Sequence, residues 1–113
     1  MHQHYQELSK NNANYIPLSP ISFLARTADI FGTRTAIVYN NRQYSWQQTY
    51  DRSRALASAL IRRGLGLGDT VSIIAANTPE MYEAHFGVPM AGCVLNTINT
   101  RLEAETIAYI LAD

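Results

Sequence analysis

Excess charge is the first thing missing. Nine basic and nine acidic residues cancel over 113 positions. Nothing therefore favours nucleic acid or an anionic membrane surface, both of which need clustered Lys and Arg. Lysine is nearly absent too. Lys10 is the only one, and it sits in a polar N-terminal stretch, away from any glycine run. A Walker-type phosphate loop needs a lysine beside its glycines and is excluded from the folded part. Cysteine is limited to Cys93, which rules out an internal disulfide and a thiol-based metal cluster. Cys93 lies between Gly92 and Val94 with no basic neighbour to favour a thiolate, so it reads as a packed, reduced side chain in preference to a reactive thiol. No apolar run approaches the roughly 20 residues of a membrane span. Residues 1–14 contain no apolar segment of the kind an N-terminal signal peptide needs. A soluble, reducing compartment is expected.

What is present is globular material, 47% hydrophobic and 16% charged, of a size for one small domain or part of a larger one. Asn11, Asn12 and Asn14 favour open backbone, so residues 1–18 are expected to be a mobile arm. Order should begin at Ser19-Pro20, a capping residue followed by a proline suited to the first helical position. Ile21, Leu24, Ala25, Ala28 and Phe31 recur at helical spacing, and Gly32 is expected to close the helix in a left-handed conformation. Thr35 to Tyr39 and Gln43 to Ser45, joined by Asn40-Asn41, predict a hairpin with a tight turn. Ser45 and Gln48 have capping-box spacing. The helix they open carries Trp46, Tyr50, Ser53, Leu56, Ala57, Leu60 and Ile61 on one face, and Gly64 ends it.

The compact run Val71 to Ala75 predicts a strand covered on both faces. Thr78-Pro79 then repeats the cap-plus-proline start, and Pro89 should kink or end that helix early. Val94 to Thr97 is a second buried strand, so Val71 to Thr97 forms a parallel βαβ unit with a right-handed crossover. A last helix with Ile107, Ile110 and Leu111 inward runs to Asp113. The fold class expected is α/β, with a β-hairpin, a parallel βαβ unit and flanking helices. Residues 19–113 make a partial domain whose sheet edge stays open to further strands or to self-association.

The candidate chemistry is sparse. Gly64, Gly66 and Gly68 follow a helix and precede a strand, the reverse of a nucleotide-binding order, and read as a cap and turn. His85 lacks an acidic residue at helical spacing to orient it, which favours a structural histidine over a general base. His2, His4 and Glu7 match no metal-site spacing. Glu103 and Glu105 suit a helix N-terminus, and Arg62-Arg63 a helix C-terminus. Asn77 and Asn96 read as turn and strand-end residues that satisfy backbone groups. No nucleophile–base pair and no metal set can be assembled.

The series of short motifs nevertheless resembles the opening of the adenylate-forming (AMP-binding) superfamily, which includes acyl-CoA synthetases. The resemblance is carried by Tyr44-Ser45-Trp46-Gln47-Gln48, by Leu60 through Val71, and by Ala76-Asn77-Thr78-Pro79-Glu80. Ala91-Gly92-Cys93-Val94, Asn96-Thr97 and Asn99-Thr100-Arg101-Leu102 complete it. The segment Gly87-Val88-Pro89-Met90-Ala91-Gly92 looks most like plant-type acyl-activating enzymes that use short-chain or aromatic acids. The resemblance implies the incomplete N-terminal part of the large domain of a carboxylate–CoA ligase. Such an enzyme uses a carboxylic acid, ATP, Mg²⁺ and CoA, forming an acyl-adenylate and then a thioester. It also implies a cytoplasmic or peroxisomal setting.

The superfamily's Ser/Thr/Gly-rich phosphate loop, acidic ribose-binding residue and C-terminal lysine do not occur in these 113 residues, so the chain alone is expected to be inactive. One site residue carries over. Arg101 is implied as a contact of the CoA nucleotide, against the plainer reading of an ion pair or helix-start contact. Two rival readings remain at this level: a truncated interaction module docking onto a full-length relative, and an unrelated small α/β ligand-binding domain.

Overall fold

In the computed structural model, residues 19–113 are described. The arm expected over residues 1–18, with Lys10, His2 and His4, lies outside the described residues. The Ser19 hydroxyl accepts a hydrogen bond from the Ser22 backbone N–H, and helix α1 (Pro20–Phe31) starts on Pro20. Leu24 and Ala28 are the buried side chains of α1, which packs on the next two helices of the chain. Gly32 departs from expectation: its φ is −52° and its conformation right-handed. Space, rather than a positive φ, fixes glycine there. A Cβ on Gly32 would lie 2.5 Å from the Ala28 carbonyl oxygen and 3.5 Å from Gln47 Cβ. The Gly32 and Arg34 carbonyls also accept hydrogen bonds from the Gln47 and Trp46 N–H groups, partnering the otherwise unpaired donors that open the second helix.

Strands β1 (Thr35–Tyr39) and β2 (Arg42–Ser45) form the expected antiparallel hairpin. Asn40 takes the positive φ of the turn, 52°, which Asn tolerates better than other side chains. The capping box is complete. Ser45 Oγ accepts from the Gln48 N–H, while Gln48 Oε1 accepts from the Ser45 N–H. Helix α2 (Trp46–Arg62) follows, buries Thr49, Ser53 and Ala57, and ends ahead of Gly64, whose φ is 84°. Ile61 does not join the buried face as expected but is 55% exposed.

The glycine-rich segment then turns around Asp69, whose carboxylate accepts from the Gly66 N–H and whose own N–H donates to the Gly66 carbonyl. It feeds β3 (Thr70–Ile74). Helix α3 (Pro79–Met90) is capped by Thr78 and stops one residue past Pro89, as the proline predicts. Strand β4 (Val94–Ile98) pairs parallel with β3, and α4 (Ala104–Ala112) closes the described chain.

The core is built of small side chains. Ala57, Ala84, Val88, Ala91 and Cys93 form its buried centre, with Leu56, Leu60, Val71, Ile73 and Leu95 against it. Small residues let α2 and α3 approach closely, and Gly87 marks the contact: a Cβ there would fall 2.8 Å from the Ser53 carbonyl oxygen. Cys93 is packed, with its Sγ 3.5 Å from the Gly66 carbonyl.

Three expectations about coverage are corrected by this arrangement. Helices cover one face of β3, so Val71 and Ile73 turn inward while Thr70, Ser72 and Ile74 are exposed, rather than both faces being buried. Strand β4 is likewise only partly covered, with Val94 and Thr97 exposed. Helix α4 buries no residue, and Leu111, expected inward, is exposed. The two sheets have two strands each, so β3 and β4 hydrogen-bond only to each other among the described residues.

Candidate functional site

Parallel pairing decides where the ligand-facing surface lies. Ile74 of β3 is in register with Ile98 of β4, so both strands end at the same level and release their loops side by side. Ala75, Ala76 and Asn77 leave β3, while Asn99, Thr100 and Arg101 leave β4. Together with Met81 and His85 of α3 they line a cleft of about 530 Å³. The carboxyl ends of parallel strands are where open α/β sheets place ligands.

Arg101 lies in a tight turn. Asn99 Oδ1 accepts the Arg101 backbone N–H at 2.9 Å, and the Asn99 carbonyl accepts from Leu102 N–H. The Arg101 side chain is exposed and has no ion pair among the described residues. Of the two plainer roles expected for Arg101, the ion pair is not formed among the described residues, while its backbone N–H is held in the turn that leads into α4. No carboxylate lines the cleft, whereas Asn77, Thr97, Asn99 and Thr100 do. The cleft has one cation and several neutral polar groups, a composition suited to an anionic ligand.

His85 sits on the wall between this cleft and a second, more apolar one of about 430 Å³. That one runs beside Ile37, Val38, Tyr39 and Tyr82. Its Nδ1 is 2.8 Å from the Met81 carbonyl oxygen one turn back on α3. Since a carbonyl can only accept, Nδ1 carries the proton, and Nε2 is the remaining ring nitrogen. No carboxylate bonds to the ring: Glu80 and Glu83 are committed elsewhere. The structural reading of His85 fits its bond to its own helix, but that bond also leaves Nε2 available on a cleft wall.

Glu80 and Glu83 belong to a charged cluster that the sequence did not disclose. Arg42 of β2 donates to Glu80 at 2.8 Å, and Arg52 of α2 pairs through Nε with the buried Glu83 and lies 3.9 Å from Glu80. The ring of Tyr44 has the Arg52 guanidinium 4.5 Å from its centroid. Hydrogen bonding from Arg42, foremost, holds the Glu80 carboxyl down to a pKa of about 2. The cluster ties the hairpin and α2 to the first turns of α3, just after Asn77, which lines both clefts. Its partners lie 31 and 38 residues apart, beyond any local periodicity.

Asn96 is not a backbone-satisfying strand-end residue but lies within β4, where its Nδ2 is 3.2 Å from Ser72 Oγ across the strand pair. Glu103 precedes α4 without a side-chain cap bond, and Glu105 lies in its first turn. Gly64, Gly66 and Gly68 lie before β3, at the amino end of the strand pair, opposite the cleft. No group of three or more His, Cys, Asp or Glu side chains able to hold a metal occurs among the described residues. No helix among them is long and apolar enough to cross a membrane.

Comparison with known proteins identifies the family of the chain. Residues 24–113 match the family model described as AMP-binding enzyme. A peroxisomal acetate/butyrate–CoA ligase of Arabidopsis thaliana is 55% identical over 106 residues, covering 94% of this chain and 19% of that protein. A peroxisomal benzoate–CoA ligase of the same plant is 50% identical over 105 residues, 93% of this chain and 18% of that protein. Among solved structures, the O-succinylbenzoate–CoA synthetase of Bacillus subtilis, in complex with ATP and magnesium ion, superposes with a TM-score of 0.74. It is 23% identical, over 80% of this chain and 25% of that one, a likeness of fold. The chain spans about a fifth of the length of the relatives it matches.

Proposed function

The chain belongs to the AMP-binding enzyme family, and from that premise we propose that it is the N-terminal part of an ATP-dependent carboxylate–CoA ligase. The complete enzyme joins a carboxylic acid to the α-phosphate of ATP, releasing pyrophosphate. The CoA thiol then displaces AMP to give the acyl-CoA thioester. The observation that carries this reading is the 50–55% identity, along nearly the whole chain, to ligases named for acetate, butyrate and benzoate. Short-chain or aromatic acids are the substrates proposed. Residues 19–113 are the first section of the large domain, and Arg101 contributes to binding the CoA nucleotide. Its uncompensated charge, in a cleft free of carboxylates, supports that role.

The catalytic electrostatics lie outside this chain. Transfer to the α-phosphate builds negative charge that cations must offset, yet residues 19–113 contain no lysine. The described residues also hold no group of three or more His, Cys, Asp or Glu side chains that could bind a metal ion by themselves. What this section supplies is a wall: the paired strand ends, the Asn99 turn that holds Arg101, and the Arg42–Glu80 and Arg52–Glu83 ties that hold α3. In the complete protein, ATP–pyrophosphate exchange dependent on acetate, butyrate or benzoate, followed by CoA-dependent AMP release, is expected. The 113-residue chain alone is expected to show no exchange, and exchange by it would overturn the assignment of chemistry elsewhere. A peroxisomal site is proposed with this function, because the relatives' names place them there. A fluorescent fusion of the complete protein would test it.

A second reading is favoured by the two open edges of the β3–β4 pair and the exposed Ile74 and Val94. The chain would then act by docking onto a full-length relative. Co-purification of the two, lost in Val94→Lys, is the expected result. A monomer that ignores the relative would dismiss it.

A further inference from the structure

We infer that His85 is a ligand-positioning residue of the cleft at the strand ends, accepting through Nε2 a hydrogen bond from an N–H or O–H of the same ligand whose anionic group pairs with Arg101. Three observations carry this. The bond from Nδ1 to the Met81 carbonyl, at 2.8 Å, fixes both the tautomer and the orientation of the ring. The ring stands on the wall that the polar and apolar clefts share, with Asn77 and Met81. And no acidic side chain engages it, because Arg42 and Arg52 occupy Glu80 and Glu83. With Nδ1 bonded to the carbonyl of its own helix, Nε2 is the ring nitrogen left to meet a ligand.

The ligand chemistry follows. Arg101 recognises a phosphate, and a histidine acceptor on the facing helix requires a donor group on the same molecule. A phosphorylated compound carrying amide or hydroxyl donors satisfies both ends, whereas inorganic pyrophosphate satisfies one. This inference rests on the ligase reading, in which CoA, a phosphorylated molecule with amide groups, enters this cleft.

The test uses the complete protein, with KM for CoA measured beside ATP–pyrophosphate exchange, which does not involve CoA. His85→Phe is expected to raise the CoA KM roughly three- to tenfold, the effect of one lost hydrogen bond, with exchange unchanged. His85→Gln, which keeps an acceptor near the Nε2 position, is expected to recover most of the loss. Arg101→Ala should raise the KM as well. If His85→Phe leaves the CoA KM untouched while Arg101→Ala raises it, the role of His85 is refuted and the ligase reading stands. A rise that His85→Gln does not relieve, or one accompanied by lost exchange, points to packing and also refutes it. If wild-type protein forms no acyl-CoA, the ligase reading fails, and this inference fails with it.

Discussion

Gly87 offers a sharp test of how the two central helices meet. In the middle of α3 a glycine costs helix stability, and replacing it with alanine would ordinarily gain about 1 kcal/mol. The structure opposes that gain. A Cβ on Gly87 would sit 2.7 Å from Leu56 Cδ2, 2.8 Å from the Ser53 carbonyl oxygen and 2.9 Å from Leu56 Cβ. The leucine tip can rotate away, but the carbonyl and the Leu56 Cβ are fixed to α2. Relief requires α2 and α3 to move apart by roughly half an ångström or more, in an interior where overpacking costs about 1–3 kcal/mol. With two of the three contacts immovable the upper part of that range applies. Gly87→Ala should therefore lose about 1–2 kcal/mol net. With a urea dependence of about 1 kcal/mol/M, the unfolding midpoint falls by about 1–2 M. Circular dichroism at 222 nm across a urea series reads it. Gly66→Ala is the control: a Cβ there meets nothing within 4 Å, so its midpoint should stay or rise slightly. A Gly87→Ala chain as stable as wild type, or more so, would show that helix propensity wins and that the α2–α3 contact is looser than described.

The charged cluster and the cap give further expectations. Glu80 falls from an ordinary pKa of 4.5 to about 2 in the folded chain, so its contribution is fully present above about pH 4.5 and lost as pH drops to 2. The stability gap between wild type and Glu80→Gln should hold above pH 4.5, shrink as pH falls toward 2 and vanish below it; a gap of the same size at pH 5 and at pH 2 refutes the pairing. Arg52→Ala strands the buried Glu83 and should cost about 3 kcal/mol, the low end for a broken buried pair because Arg52 is itself part exposed. Arg42→Ala, at a surface pair, should cost no more than about 1 kcal/mol; equal losses would overturn the distinction. Ser45→Ala removes the acceptor for the Gln48 N–H and should lower stability by about 1 kcal/mol, while Ser45→Thr keeps most of it.

Local signals made much of this fold legible. Ser19-Pro20, the Ser45/Gln48 box and Thr78-Pro79 each mark a helix start through bonds reaching only three residues, which a linear pattern displays. Asn40-Asn41 gave the hairpin for the same reason. Coverage was harder to read. The run Val71 to Ala75 looks buried on both faces, but whether a second layer covers β3 depends on what packs against it. Gly32 misled because glycine serves two needs, a positive φ and close approach, and only the neighbouring Ala28 carbonyl and Gln47 reveal which applies.

The sequence by itself determined the order of helices and strands, their caps and turns, and membership of the AMP-binding family, since each rests on adjacent residues or on a motif series in fixed order. Tertiary structure alone decided that Arg42 and Arg52 would neutralise Glu80 and Glu83, and that Asn77, His85 and Arg101 would share one cleft. It also decided which faces of β3, β4 and α4 stay uncovered. Those outcomes come from in-register pairing of strands 24 residues apart and from helices packing across the chain, and a contact between distant residues leaves no period in the sequence to find.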